Sequence, residues 1–228
     1  MDDLDRPRPK GGQVIRLAVF DLDGTLVDSR LDLCLAVNHA LEKLHLAARS
    51  LEEVTGFIGE GARRLLERAV APHLELTERA IALWREHYEV HLLDHTVLYP
   101  GLDELVRAAP YPLAVITNKP GQMARRILSG LGVAERFVEV VGADEAPRKP
   151  SPEGMRALLA RQGVAAEEAV LVGDSLVDLA TARAVPVRFL AVGWGLVAPE
   201  ALVAGGAALV ARTAAELCEA LAIPPSRG

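Results

Sequence analysis

The chain has 228 residues, half of them hydrophobic, enough to bury the core of one larger domain or of a core carrying a smaller inserted lobe. A formal charge of −6 without any Lys/Arg block argues against a nucleic-acid surface, and no apolar run approaches the roughly 20 residues of a membrane span. The two cysteines, Cys34 and Cys218, sit in helix-like apolar patterns without a CxxC pair and read as reduced core thiols. In chain order, residues 1–12 (MDDLDRPRPKGG) carry charge, proline and glycine but no apolar stripe, so disorder is expected there. They also lack the basic segment and apolar stretch of a signal peptide, which makes a cytoplasmic location the expectation. Val14 to Asp21 is an apolar run broken only by Arg16 and predicts a buried strand. From Leu31 to about Asp94 the apolar residues recur every three or four positions, with LDLCLAVNHALEKL, ARRLLERAV and ERAIALWREHYEVHLL as the clearest helices. After YPGLDELVRAA, short runs (PLAVIT, FVEVV, AVLVG, VRFLAVG, AALV) alternate with helical stretches (QMARRILSGL, SPEGMRALLARQ, LVDLATARA, TAAELCEALA).

Alternating strands and helices predict crossover units, hence an α/β fold with a doubly wound, Rossmann-like parallel sheet covered on both faces. The expected organisation is an α/β core over residues 13–29 and 97–228, interrupted by an all-helical insertion over 30–96. In such a sheet ligands bind beyond the carboxyl ends of the strands. The first strand ends in Asp21-Leu22-Asp23-Gly24-Thr25, the second in Thr117-Asn118-Lys119-Pro120, and AVLVG ends in Gly173-Asp174-Ser175, with Asp178 beyond. Arg148-Lys149-Pro150-Ser151-Pro152 stands just before another helix, with Ser151 as a candidate cap and Pro152 in its first turn.

Two carboxylates at a buried strand end are costly unless paired, hydrogen-bonded or bound to metal. Alternation along a strand puts Asp21 and Asp23 on one side unless the strand has already ended. Three carboxylates without histidine or thiolate make a hard oxygen site suited to Mg²⁺, which keeps waters and bridges to phosphate. Lys149 near the positive end of a helix, together with Thr117 and Asn118, suits the grip of a phosphoryl group.

DLDGTLVDS, ITNKP, RKPSP and VGDSLVDLATARA resemble, in order, the four motifs of the haloacid dehalogenase superfamily of phosphotransferases, over nearly all the chain after Gly12. The helical insertion is similar to that superfamily's C1-type cap. TNKP, LYPG and the cap sequence Gly59-Glu60-Gly61 look most like its phosphoglycolate phosphatase-like members. The resemblance implies Asp21 as nucleophile, Asp23 as general acid and then base, and Thr117 and Lys149 on the phosphoryl oxygens, with Asn118 orienting nucleophile or substrate. It places Mg²⁺ on Asp21, the backbone carbonyl of Asp23, and Asp174, and makes Asp178 a partner behind these ligands rather than a direct ligand. An acid at position 23 favours phosphatase or phosphomutase over dehalogenase or ATPase-type chemistry. The implied activity is Mg²⁺-dependent hydrolysis of a small phosphomonoester, 2-phosphoglycolate first, by a monomer or homodimer with no nucleic-acid or membrane partner. Hydrolysis of another phosphomonoester or of pyrophosphate, a β-phosphoglucomutase-like transfer, and a non-catalytic phosphate-accepting signalling module stand as alternatives.

Several residues stay open at this level. Glu60 would repel a substrate carboxylate if it faced the site, and Arg63 and Arg64 read either as anion contacts or as exposed charge. Val185 stands where many relatives carry glycine, which questions the local turn. His87, His91 and His95 recur every four residues, a spacing compatible with a metal, although the neighbours read as a helix running into a loop. Trp194 reads as a packing or turn residue or as part of the site's mouth.

Overall fold

The computed structural model describes residues 14–223, so the disorder expected over 1–12 lies outside the described residues. Six strands form one parallel sheet: β1 (Leu17–Phe20), β4 (Leu113–Ile116), β5 (Phe137–Val141), β6 (Ala169–Gly173), β7 (Arg188–Val192) and β8 (Val210–Ala211). Their order is β5-β4-β1-β6-β7-β8, which puts β1 between β4 and β6. The chain leaves β1 toward β4 and later returns to the other side at β6, so the carboxyl end of β1 is the switch point where such sheets bind ligands.

Strict alternation explains why the strands are apolar on both faces. Ala18, Phe20, Leu113, Val115, Val170 and Val172 pack on one face with Leu102 and Leu105 of α5 (Leu102–Ala108), Ile127 and Leu128 of α6 (Gly121–Gly130) and Leu217 of α10 (Ala214–Ala220). Leu17, Val19, Ala114, Ile116 and Leu171 pack on the other with Met155 and Leu158 of α7 (Glu153–Gln162) and Ala182 of α8 (Leu176–Ala184). Every β1 side chain from Leu17 to Phe20 is fully buried, as a central parallel strand requires.

Between β1 and β4 lie α1 (Arg30–Lys43), α2 (Leu51–Thr55), α3 (Ala62–Val70) and α4 (Thr77–His91). α1 packs on α4 and α3, and their apolar faces join the same cluster as the first sheet face through Leu33, Leu66, Trp84 and Tyr88. A short antiparallel ribbon ties the two crossings to this section: β2 (Val27–Asp28) pairs with β3 (Val97–Leu98), and the Tyr99 N–H donates to Leu26 O at 3.1 Å. Two-residue strands carry no periodicity, so this ribbon is invisible to pattern reading.

The first strand is shorter than the Val14–Asp21 run, because Val14 is 72% exposed with no neighbour to cover it. The last sheet strand falls at Val210–Ala211 instead of AALV, and α9 (Pro199–Ala204) had no clear sequence signal. Among the described residues no helix is long and apolar enough to cross a membrane. Both cysteines are free, with Cys34 buried and Cys218 half-buried.

Candidate active site

Asp21 follows β1 directly, and its backbone N–H still donates to Val172 O at 2.9 Å, holding it in the ladder. The chain then turns: Gly24 N–H donates to Val27 O at 2.9 Å, with Gly24 at φ +85°. A Cβ there would stand 2.3 Å from an Asp174 oxygen, so only glycine permits both the turn and the approach of β6's end. Thr25 Oγ1 donates to Asp174 Oδ1 at 2.9 Å, and Leu196 N–H donates to Oδ2 at 2.7 Å.

Asp178 is placed by a capping box at the start of α8. The Ser175 hydroxyl accepts from the Asp178 N–H at 3.2 Å, while Asp178 Oδ2 accepts from Ser175 N–H at 3.2 Å and from its hydroxyl at 2.6 Å. That local pairing turns a fully buried carboxylate toward the sheet end, where Asp21, Asp174 and Asp178 each bring an oxygen within 4.8 Å of the others. Lys149 closes the cluster, its Nζ 2.7 Å from Asp21 Oδ1 and 2.7 Å from Asp178 Oδ1.

With all three ionised, three carboxylates against one ammonium leave two negative charges in a buried place, the complement of one divalent cation. Burial, opposed by Lys149 and reinforced by Asp178, pushes Asp21 up from 3.8 to about 7. Burial with Asp178 and Asp21 alongside pushes Asp174 up to about 8. An all-oxygen donor set with a deficit of positive charge fits Mg²⁺ and not a soft metal. Among the described residues this is the one group of three acidic, histidine or cysteine side chains close enough to share an ion.

Lys149 itself is fixed through Asn118 at the end of β4. The Asn118 side-chain oxygen accepts from the Lys149 N–H at 2.8 Å, and its Nδ2 donates to Lys149 O at 3.1 Å and to Gly59 O at 3.0 Å. The whole amide is thus committed to backbone, one side in the α7 approach and one in the helical section. α7 begins at Glu153 with Pro152 as its cap residue, one position later than Ser151 suggested, and Lys149 lies in the loop before it. Thr117 is buried beside them at the end of β4.

Asp23, on the same cleft as Asp21, has its own partners. Lys119 Nζ lies 2.9 Å from each of its two oxygens, and Ser29 Oγ donates to Oδ1 at 2.5 Å. Lys119 also donates to the Tyr88 hydroxyl of α4 at 3.0 Å, its Nζ 4.9 Å from the Tyr88 ring centre. Burial pushes the Tyr88 phenol up to about 12, so it stays neutral as an acceptor. Neither Lys119 nor Tyr88 carries a role in the sequence reading. Lys119 has a usable signal, since it stands in TNKP at a site-forming strand end. Tyr88 has none, because it lies on the apolar stripe of a helix and reads as core.

Asp21, Asp23, Thr117, Asn118 and Lys119 line one small cleft as its floor, and Ile58, Gly59, Ala62, Leu65 and Trp84 of the helical section form its roof. Glu60 does not face this cleft. It is paired with Arg68 on the outer side of the helical section, which removes the repulsion expected from it. Arg63 pairs with Glu78 at 2.6 Å and Arg64 with Glu67 at 2.9 Å, both on that same outer side. Trp194 Nε1 donates to Thr25 O at 3.1 Å, pinning the turn that carries the motif. Val185 has φ −115°, an ordinary backbone angle that needs no glycine. His87 packs between His39 and His91, its ring centre 4.3 and 4.4 Å from theirs, while His95 lies beyond the end of α4. Stacked rings turn faces, not nitrogen lone pairs, to one another.

A model of haloacid dehalogenase-like hydrolases matches residues 18–192, and those residues hold every motif described above. The chain belongs to the haloacid dehalogenase-like hydrolase family. It is 38% identical over 213 residues to a protein named phosphoglycolate phosphatase from Chromobacterium violaceum, covering 89% of this chain and 95% of that one. It is 42% identical over 185 residues to a phosphoglycolate phosphatase from Cereibacter sphaeroides, covering 75% of this chain and 82% of the relative. The crystal structure of a predicted phosphoglycolate phosphatase from Haemophilus somnus 129PT superposes with a TM-score of 0.84 at 28% identity, covering 90% of this chain and 97% of the other.

Proposed function

We propose that the protein is a phosphatase of small phosphomonoesters, with 2-phosphoglycolate as its foremost substrate, and that its helical section over 30–96 is a cap over a core of 13–29 and 97–228. The observation that carries this reading is the convergence of Asp21, Asp174, Asp178 and Lys149 at one strand end, with Asp23 beside them under a small cleft. The names of relatives at 38% and 42% identity support the substrate. So does the outward turn of Glu60, which takes its own charge away from glycolate's carboxylate.

In this reading Asp21 attacks phosphorus, forming an O–P bond to its carboxylate as the bond to the substrate's alkoxide breaks. Asp23 gives its proton to that alkoxide. It then takes a proton from the water that attacks the same phosphorus, and phosphate leaves as the Asp21 carboxylate is restored. Thr117 and Lys149 hold the phosphoryl oxygens, Asp178 orients Lys149, and Asn118 fixes the Lys149 backbone. Asp21, the Asp23 backbone carbonyl and Asp174 would hold Mg²⁺, which would supply neutralisation of the phosphoryl charge. The small-molecule partner and a cytoplasmic location go with this reading.

The test is phosphate release from a panel of phosphomonoesters with and without Mg²⁺, phosphoglycolate included. Mg²⁺-dependent release led by phosphoglycolate is expected, and EDTA should silence it. Silence across the panel from folded, Mg²⁺-loaded protein would overturn the reading. Asp23→Asn should slow phosphoglycolate hydrolysis by about 10² to 10⁴, the scale of general acid–base catalysis. In kcat/KM, which reports formation of the phospho-enzyme, it should slow p-nitrophenyl phosphate far less, because that leaving group departs without a proton; equal losses in kcat/KM would remove Asp23 from the acid role.

Mg²⁺ should also raise the melting temperature without substrate present. At 100 times its Kd the ion would add about 2.7 kcal/mol of stability. The pH dependence follows from raised carboxylates: Asp21 at about 7 and Asp174 at about 8 hold protons that the ion must displace. The shift should therefore be larger at pH 8 than at pH 6. A melting temperature indifferent to Mg²⁺ at pH 8 would contradict the site.

A further inference from the structure

Asp23, the proposed proton donor, is held by a chain of contacts that begins outside the sheet. Tyr88 lies on α4 in the helical section and is fully buried. Its hydroxyl accepts from Lys119 Nζ at 3.0 Å, and the same Nζ reaches both Asp23 oxygens at 2.9 Å. The Lys119 side chain is only 5% exposed, so its ammonium donors have these protein acceptors and little water. Ser29, one residue before α1, donates to Asp23 Oδ1 from the other side at 2.5 Å. The next residue along the floor repeats the pattern, since Asn118 bonds both Lys149 and the Gly59 carbonyl of the helical section. Asn118 and Lys119 therefore each join a site residue of the core to a group in the helical section.

We propose that Tyr88, acting through Lys119, is a positioning residue that seats the Asp23 carboxylate, so that the acid–base group is aligned only when the helical section lies over the sheet. The physical reason is the buried ammonium. A charged donor in a dry place keeps every acceptor it has, because an unmatched one costs its full desolvation. With Tyr88 in place Lys119 is held toward Asp23 and the aromatic ring. When the helices lift, the hydroxyl and the ring leave together, and Lys119 and Asp23 relax toward water. Proton transfer then waits for closure, when water is excluded from the cleft. Tyr88 touches neither substrate nor reacting atoms in this account.

The inference rests on Asp23 being the proton donor, and its test separates the two. Tyr88→Phe keeps the ring and its packing and removes only the acceptor. With phosphoglycolate it should lower kcat by about tenfold to a hundredfold, the scale of a small misplacement of a reacting group, with KM unchanged. With p-nitrophenyl phosphate, where formation of the phospho-enzyme needs no proton, the loss in kcat/KM should be much smaller than with phosphoglycolate. In the Asp23→Asn background the same change should cost nothing further on phosphoglycolate. Lys119→Met should reproduce the leaving-group pattern of Tyr88→Phe. Circular dichroism and melting curves confirm that each variant is folded.

Equal kcat/KM losses for both substrates, or a Tyr88→Phe effect that multiplies that of Asp23→Asn, would overturn the proposal and leave Tyr88 as packing. A rise in KM for phosphoglycolate alone in Lys119→Met would also overturn it, by making Lys119 a receptor for the substrate's second charge. If Asp23→Asn shows no leaving-group dependence, the acid role itself fails. If it does and Tyr88→Phe is silent, only the positioning inference fails.

Discussion

Asp21→Asn should abolish turnover, with a loss of roughly 10⁶ in kcat, the scale seen when a covalent nucleophile is removed from a preorganised site. The amide has nearly the same shape but no negative oxygen to attack phosphorus. Stability should move the other way. Burial raises Asp21 from 3.8 to about 7, so the folded protein keeps a proton that the unfolded chain has lost. A group raised in this way contributes fully below its unfolded value, and that contribution falls away as pH rises through the folded value. Without Mg²⁺, the melting temperature of Asp21→Asn relative to the parent should therefore improve from pH 5 to pH 8. A variant that is both active and unfolded more easily at pH 8 would refute the nucleophile and the electrostatic account together.

Lys149→Met should have the largest effect on stability. Lys149 is 5% exposed and 2.7 Å from both Asp21 and Asp178, while Asp174 stands in the same cluster. Methionine fills similar volume but leaves the carboxylates without their one positive neighbour. Removing one partner of a buried pair costs about 3–5 kcal/mol, because the remaining charge is stranded. Protonation of Asp21 relieves part of this, so the loss should be smaller at pH 5 than at pH 8. Urea unfolding at both values measures it. A cost below about 1 kcal/mol at pH 8, within the range of an exposed pair, would mean that Lys149 does not balance the cluster. Its phosphatase activity should fall as well, since the same ammonium is the proposed grip on the phosphoryl oxygens.

The sheet and the carboxylate cluster were legible because they rest on local rules. Continuous apolar runs such as AVLVG predict central parallel strands, and polar residues bunched at their ends predict the ligand edge. The position of Asp174 and Asp178 follows from a strand end and a capping box within one short stretch. Contacts between the helical section and the core were not legible. Tyr88 is 31 residues from Lys119, and nothing in α4's apolar stripe separates a core tyrosine from one that meets a lysine. The direction of Glu60 was equally hidden, because its partner Arg68 lies on the next helix. Pairing at β2 and β3 depended on distant backbone and involved too few residues to leave a pattern.

The most direct measurement of the central claim is the search for a phosphoryl group on Asp21. Asp23→Asn with p-nitrophenyl phosphate and Mg²⁺ suits it: the leaving group needs no proton, whereas the water step loses its base, so the covalent intermediate should accumulate. After an acid quench, mass spectrometry of the digested protein should find the mass of one phosphoryl group on the peptide carrying Asp21, removable by hydroxylamine and missing from the Asp21→Asn, Asp23→Asn double variant. A phosphoryl group on another residue, or steady phosphate release with Asp21 never labelled, would contradict the account.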